Sequence, residues 1–353
     1  MRKALPLGFT NFLLTLFSIT LGLICCLAIV ALIGENPLRV LEILFTGAFG
    51  SVTNIGYTLF YATPLIFTGL SVAVAFHCGL FNIGAEGQLY IGALLLTTVG
   101  ILVPDYPVIS PFLGICVAFL GGALWGGLAG WLKAYRGSHE VIVTIMLNFI
   151  SYSICGFAIM NLFKNTETQN PESKEVGVNY LIGGLGDISQ VSPVNSAFFL
   201  ALLVAFAVWI ILFKTKWGFE LRLSGSAPET AMRAGINVKR RVLEAMFISG
   251  GLAGLVAVNE ILGFAHKFKD QFSIGYGFTG IAVALLGRNR PLGIVAAALL
   301  FGAIQKGSLE LEIDTEKITR DLSGVMLAFI ILFVASESFW RSKIKFLRKR
   351  EQI

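Results

Sequence analysis

Apolar runs of about twenty residues recur from one end of the 353-residue chain to the other, and they leave few choices of fold. In hydrocarbon each run must satisfy its own backbone N–H and C=O groups, so it is helical except where protein or water covers a break. Runs at 12–33, 53–75, 82–103, 111–132, 141–163, 196–213, 242–264, 278–287, 291–305 and 322–340 predict an all-α polytopic membrane protein with about ten transmembrane helices. Charged residues make up 14% of the chain, against roughly 25% in soluble domains, and no hydrophilic stretch is long enough to fold separately. One transmembrane domain covering residues 1–353 is expected. The run at 12–33 exceeds the apolar core of a signal peptide and reads as an uncleaved first helix.

The basic residues set the orientation. With the N-terminus inside, 19 of the 27 Lys and Arg residues fall in inner loops. They are Arg2 and Lys3, Lys133 and Arg136, the group from Lys214 to Arg241, Arg288 and Arg290, and the group from Arg341 to Arg350. This asymmetry predicts an N-in, C-in topology, and it assigns the net charge of +6 to membrane orientation and not to a nucleic-acid partner. Merging spans eight and nine would turn the C-terminal basic group outward. They are therefore kept as two short spans around the inner turn "GRNRP" (Gly287–Pro291), one or both of them broken helices. Spans two to five stand five spans before seven to ten, an offset that would invert a repeat, though the sequence similarity is too weak to count. The five cysteines lie in or beside apolar runs without CxxC spacing, which argues against disulfides and metal ligation. Two outer loops, 164–195 and 305–320, are polar; each is a docking surface for an external partner or a solvated connector.

The costliest residue is Glu86, in "FNIGAEGQ" (Phe81–Gln88). A carboxylate at the centre of a membrane helix costs about 2.5–3.5 kcal/mol. In a continuous helix Asn82, Glu86 and Tyr90 share one face, while Gly84, Gly87 and Gly92 let another helix approach. Two roles are open: these groups, with Gln88, line a permeation path, or Glu86 accepts from backbone N–H groups where the helix breaks at Gly79–Gly84. Asn54 and Asn148 are further path candidates, each reading first as interhelical glue. Glu260, beside Asn259, falls near the outer end of span seven, within reach of water.

The longest inner loop, 214–241, carries strong helix signals. Ser226 and Glu229 have capping-box spacing, Pro228 suits a first turn and Gly235 a left-handed stop. A helix of about eight residues, ~12 Å long, is expected over 226–235. It either seats in a pocket on another protein or lies on the membrane, helped by Lys239 to Arg241.

The stretch "GFELRLSGSAPETAMRAGI" resembles the cytoplasmic loop of ABC-importer permeases of the branched-chain amino acid, simple-sugar and nucleoside type. "FNIGAEGQ" and "GFTGIAVALLGRNRPLG" (Gly277–Gly293) resemble the same family, most closely its nucleoside-uptake branch, so the three motifs extend over residues 81–293. The resemblance implies that Ser226, Pro228, Glu229, Arg233 and Gly235 belong to a coupling helix seated in an ATP-binding subunit. It also implies two such subunits, a second permease (identical or related), an extracytoplasmic binding protein and a place in the bacterial cytoplasmic membrane. The substrate would be a small molecule, a nucleoside or a ribose-like sugar, with Asn82 and Gln88 offering donors and acceptors to ribose or base. No G-x-x-x-x-G-K-[ST] loop is present, so ATP hydrolysis is expected on a partner, and neither cofactor nor metal is expected here. An ion-coupled transporter would need titratable groups deep in the bundle, whereas His77, His139 and His266 fall at span ends. An intramembrane enzyme would need a motif such as HExxH, which is absent.

Overall fold

The structure is a computed structural model and describes residues 7–315, 317–318 and 321–335. Arg2, Lys3 and the basic group from Arg341 to Arg350 lie outside the described residues. Within them the chain forms thirteen α-helices and no sheet, only isolated bridges. These are α1 (Leu7–Ile33), α2 (Pro37–Phe49), α3 (Val52–His77), α4 (Ala85–Leu102), α5 (Ile109–Arg136), α6 (Glu140–Asn161), α7 (Ala197–Lys214), α8 (Lys216–Ser226), α9 (Pro228–Arg233), α10 (Val238–Gly254), α11 (Tyr276–Leu286), α12 (Pro291–Asp314) and α13 (Leu322–Ala335). A π-helical turn, Val258–Ala265, continues α10. Eight of the helical segments are long and apolar enough to cross a membrane.

Three expectations are corrected. Span three begins at Ala85, so Asn82 lies in the connector 78–84 and shares no helical face with Glu86. Span eight is the 11-residue α11, too short to cross. Span nine is the 24-residue α12, which runs past Gln305 because Lys306 pairs with Glu310 one turn on. α2 was not anticipated; Asn36 caps it through Leu38 N at 3.0 Å, and Pro37 opens it.

The chain divides into two compact units. In the first, residues up to Thr58 and from Ala303 onward, α1 packs on α13, with Gly22 against the backbone of Ile330. Gly307 of α12 faces α2 there, where an added Cβ would stand 2.6 Å from Leu44 O. The second unit, Leu59–Gly302, is organised by α5 and α10. Ala118, Gly122, Gly126 and Gly130 form one stripe on α5, and Met246, Gly250 and Gly254 the facing stripe on α10. A Cβ on Gly122 would stand 2.2 Å from Gly250 O, and one on Gly254 2.2 Å from Ala118 O. In lipid no hydrophobic force drives helices together, so backbones this close supply the packing energy.

Candidate functional site

Two connectors interrupt the helices of the second unit. The inner one, 78–84, leads from α3 into α4, and the outer one, 266–275, leads from the π-turn into α11. Both end in Phe-x-Ile-Gly: Phe81-Asn82-Ile83-Gly84 and Phe272-Ser273-Ile274-Gly275. The second residue does the same work in each. Asn82 Oδ1 accepts from Gly84 N at 2.9 Å, and Ser273 Oγ accepts from Gly275 N and Tyr276 N at 3.3 and 3.2 Å. Both are short-range caps for a helix that starts inside the bundle.

The two starts touch. Glu86, in the first turn of α4, accepts from Gly277 N, in the first turn of α11, at 2.6 Å across 191 residues of sequence. Ser273, which caps α11, lies beside the same carboxylate. A Cβ on Gly277 would stand 2.3 Å from Glu86 N, which is why this position is glycine. The acceptor role expected of Glu86 is present, but its amide partner belongs to α11 and not to the Gly79–Gly84 break. A hydrogen bond to a charged group contributes about 1.5–3 kcal/mol, and a helix N-terminus adds up to ~2 kcal/mol. Together they match the insertion cost of about 2.5–3.5 kcal/mol.

A second carboxylate lies on the other side of the α11 start. Glu260 falls near the end of its span as expected, but it is buried and does not reach water. It accepts from Asn259 Nδ2 at 3.1 Å, and Tyr276 of α11 lies beside it. Asn195 Nδ2 donates to Asn259 Oδ1 at 3.2 Å. The extra residue per turn of the π-helix re-aims this side chain, a rotation that a 3.6-residue period does not foresee.

Asn82, Gln88 and Asn148 are buried and fully engaged within the protein. Asn82 Nδ2 donates to Gln88 Oε1 at 2.9 Å and to Ser249 Oγ at 2.8 Å, and Ser249 donates to Ser71 O at 2.7 Å. Asn148 accepts from Gly87 N at 2.8 Å and donates to Ile83 O at 3.0 Å. The structure thus brings Asn82, Glu86, Gln88 and Asn148 together. Asn54 belongs to the first unit, donates to Thr46 O at 3.0 Å and borders a cavity of about 290 Å³ with Glu310 and Asp314. Beside Glu86, Tyr90 packs on Tyr152 and Phe272 with ring centres 5.0 and 4.9 Å apart.

At the basic end, α9 is a six-residue helix, ~9 Å long. The expected capping box does not form: Ser226 is the last residue of α8, Ala227 takes the cap position, and no side chain caps α9. A capping serine needs extended backbone, and at 226 the helical geometry of α8 has already used it. Pro228 opens the helix as expected. Gly235 ends it at φ +78°, with Ile236 N on Ala231 O at 3.0 Å. Ala231 is buried, whereas Glu229, Met232 and Arg233 are exposed, so α9 rests on one small residue and presents the others outward.

The mounting of α9 is stiff. Arg241 of α10 meets Glu220 of α8 at 2.7 Å and also pairs with Glu244, which takes Trp217 Nε1 and Arg240 Nε at 2.7 Å each. Gly225 lies on the turn after α3, where a Cβ would stand 2.5 Å from Cys78 C. His77 Nε2 and Asn289 O, 2.9 Å apart, join that turn to the one after α11.

Long apolar helices interrupted inside the bundle, with a short exposed helix at the basic end, define a polytopic membrane protein. Comparison with known sequences agrees: the profile of the family "Branched-chain amino acid transport system / permease component" matches residues 54–335. The chain is 36% identical to the guanosine ABC transporter permease protein NupP of Bacillus subtilis over 97% of this chain and 98% of that one. It is 31% identical to the glucose ABC transporter permease protein TsgB13 of Haloferax volcanii, covering 88% and 84% respectively. It is 30% identical to a further guanosine ABC transporter permease protein of Bacillus subtilis, NupQ, covering 80% and 90%. The chain belongs to the branched-chain amino acid transport system permease family. It is an ABC transporter permease of the cytoplasmic membrane, a transport component and not an enzyme.

Proposed function

We propose that this permease imports nucleosides, guanosine-type purine nucleosides first among them, driven by ATP hydrolysis on partner subunits. The observation that carries the substrate class is the 36% identity to NupP, which runs along 97% of the chain and through both helix breaks. Two guanosine permeases of one organism match this chain unequally, at 36% and 30%, which favours a related second permease over an identical one. TsgB13 supports a simple sugar as the second reading.

In this mechanism α9 is the coupling helix. Its exposed Glu229, Met232 and Arg233 enter the ATP-binding subunit, and the α8–α10 ion pairs carry the load into the bundle. Asn82, Gln88 and Asn148 spend their polar groups on protein partners, so they position the inner break and leave the solute to other surfaces. Glu86 and Gly277 form the contact that separates when the bundle changes between outward-open and inward-open packings, a population shift between two states. An extracytoplasmic binding protein delivers the solute.

The test is reconstitution of the full complex in vesicles with labelled guanosine and labelled glucose. ATP-dependent guanosine uptake that excess glucose does not compete supports the nucleoside reading, and the reverse selectivity overturns it. Arg233→Glu should leave the complex in the membrane while uptake per ATP hydrolysed falls at least about tenfold; unchanged stoichiometry would remove α9 from the coupling role.

A further inference from the structure

The loop between α6 and α7 does not float. Its first part is a hairpin, with Asn165 N on Glu172 O and Lys174 N on Phe163 O, each at 2.9 Å. The returning arm is stitched to the outer connector. Ser173 N donates to Phe268 O, Val176 N to His266 O and Asp270 N to Pro171 O, all at 2.9 Å, and Phe268 N returns to Ser173 Oγ at 3.0 Å. Lys267 Nζ sits 2.9 Å from Glu172 Oε1. Glu172, Ser173 and Phe268 are buried, so this seam is a packed interface and not a chance surface pairing.

The seam leads to the start of α11. Phe268 packs on Phe272 with ring centres 5.1 Å apart, and Phe272 packs on Tyr90 of α4. The next residue, Ser273, caps α11, whose Gly277 N donates to Glu86. The connector is strained as well as tied: His266, Gln271 and Gly275 all have left-handed backbone, at φ 58°, 54° and 87°. Two of these are not glycine, and such conformations persist only where surrounding contacts impose them. His266 is the left-handed C-cap of the π-turn; its N–H donates to Ile261 O and its carbonyl accepts from Val176 N of the hairpin, and Gln271 follows Asp270, which the hairpin holds through Pro171 O. The hairpin's turn exposes Glu167, Gln169, Asn170 and Pro171.

We propose that the hairpin 163–176 is the outer latch of the permease: a protein that docks on its polar turn opens the seam with 266–270 and thereby releases the start of α11 from Glu86. The proposal rests on the importer reading, which provides the docking protein, a solute-loaded extracytoplasmic binding protein with a polar contact rim. A released seam lets the left-handed residues relax, so opening is assisted by the strain that closure imposes.

Glu172 and Lys269 face each other across an antiparallel bridge, a separation a disulfide spans. Glu172→Cys with Lys269→Cys, in the full complex in vesicles with labelled guanosine, is the decisive variant. Oxidation should leave basal ATP hydrolysis intact, lower uptake at least about tenfold and abolish stimulation by the binding protein, with a reductant restoring both. The parent chain under the same oxidant controls for its five native cysteines. Uptake unaffected by a verified cross-link overturns the latch. Lys267→Ala supplies an independent reading: a weakened latch raises hydrolysis severalfold without binding protein, and an unchanged rate shows a static clamp instead. A parent complex with no ATP-driven uptake at all defeats the importer reading itself, a result distinct from either.

Discussion

The inner and outer helix breaks share a Phe-x-Ile-Gly ending and a side-chain cap, yet they are held in opposite ways. The inner connector has one left-handed residue, Gly79, and the polar groups of Ile83 and Asn82 are met by buried Asn148 of α6 and Ser249 of α10. The outer connector has three left-handed residues, two of them with side chains that make this conformation cost about 1–2 kcal/mol each. It hangs on a hairpin that faces water. The same local sequence thus yields a fixed pivot where the bundle core surrounds it and a releasable element where an external seam does. Mobility here is set by what holds the break, not by the break.

The contact that both breaks share is where the largest effect is expected. Gly277→Ala places a methyl group 2.3 Å from Glu86 N, against backbone that has no rotamer to turn away. Overpacking of this kind costs about 1–3 kcal/mol, and here it also pries apart the two helix starts. Thermal unfolding in detergent should show a lower midpoint and uptake should be nearly lost. A variant with parental stability and uptake would mean that the two starts do not meet.

The second test separates the two caps. Asn82→Ala strands Gln88 in the core as well as the Gly84 amide, at about 1–3 kcal/mol for each group left unsatisfied, while Ser249 keeps its bond to Ser71 O. Ser273→Ala removes a cap worth about 1 kcal/mol. Unfolding midpoints should therefore fall much further for Asn82→Ala, while Ser273→Ala should mainly alter uptake. Equal losses of stability would erase the distinction between pivot and latch.

How much of this was legible before the structure depended on the range of the interaction. The helical, membrane-spanning class followed from apolar runs, and the ends of α3, α5, α6 and α7 fell close to where those runs ended. Pro228 and Gly235 marked the two ends of α9 because their backbone constraints are local. Ser226 misled because α8 and α9 abut, and a capping motif says nothing about the helix before it. Asn82 and α11 misled because apolar composition does not register a break whose amides are satisfied from elsewhere. The partner of Glu86 lies on another helix, and Glu260 sits in a π-turn whose period is not 3.6 residues. The two Phe-x-Ile-Gly repeats were the available sign that spans three and eight are built alike.

Glu86→Gln refines the shared contact with a smaller effect. Glutamine keeps an oxygen to accept from Gly277 N but loses the charge, which reduces the bond by about 1 kcal/mol. Most of the uptake should survive, with a modest fall in the unfolding midpoint. Complete loss of uptake in a chain of normal stability would move Glu86 from positioning the breaks to contacting solute.

The smallest effect expected concerns the latch alone. Lys267 and the Thr168 hydroxyl both bind Glu172 Oε1, at 2.9 and 2.8 Å, and hold its carboxyl below the ordinary 4.5. A depressed folded value means that the carboxylate stabilises the hairpin fully above the unfolded value, and that this contribution is lost as pH falls through the folded one. Amide exchange at Ser173 and Val176, corrected for its intrinsic pH dependence, should keep constant protection from neutrality to about pH 5 and lose it below about pH 4. Protection across the α5–α10 contact should not follow that decline. In Glu172→Gln the acid-dependent step should vanish, because no proton remains to compete with Lys267; a step that persists would assign the pH response to another group and leave the seam without its electrostatic tie.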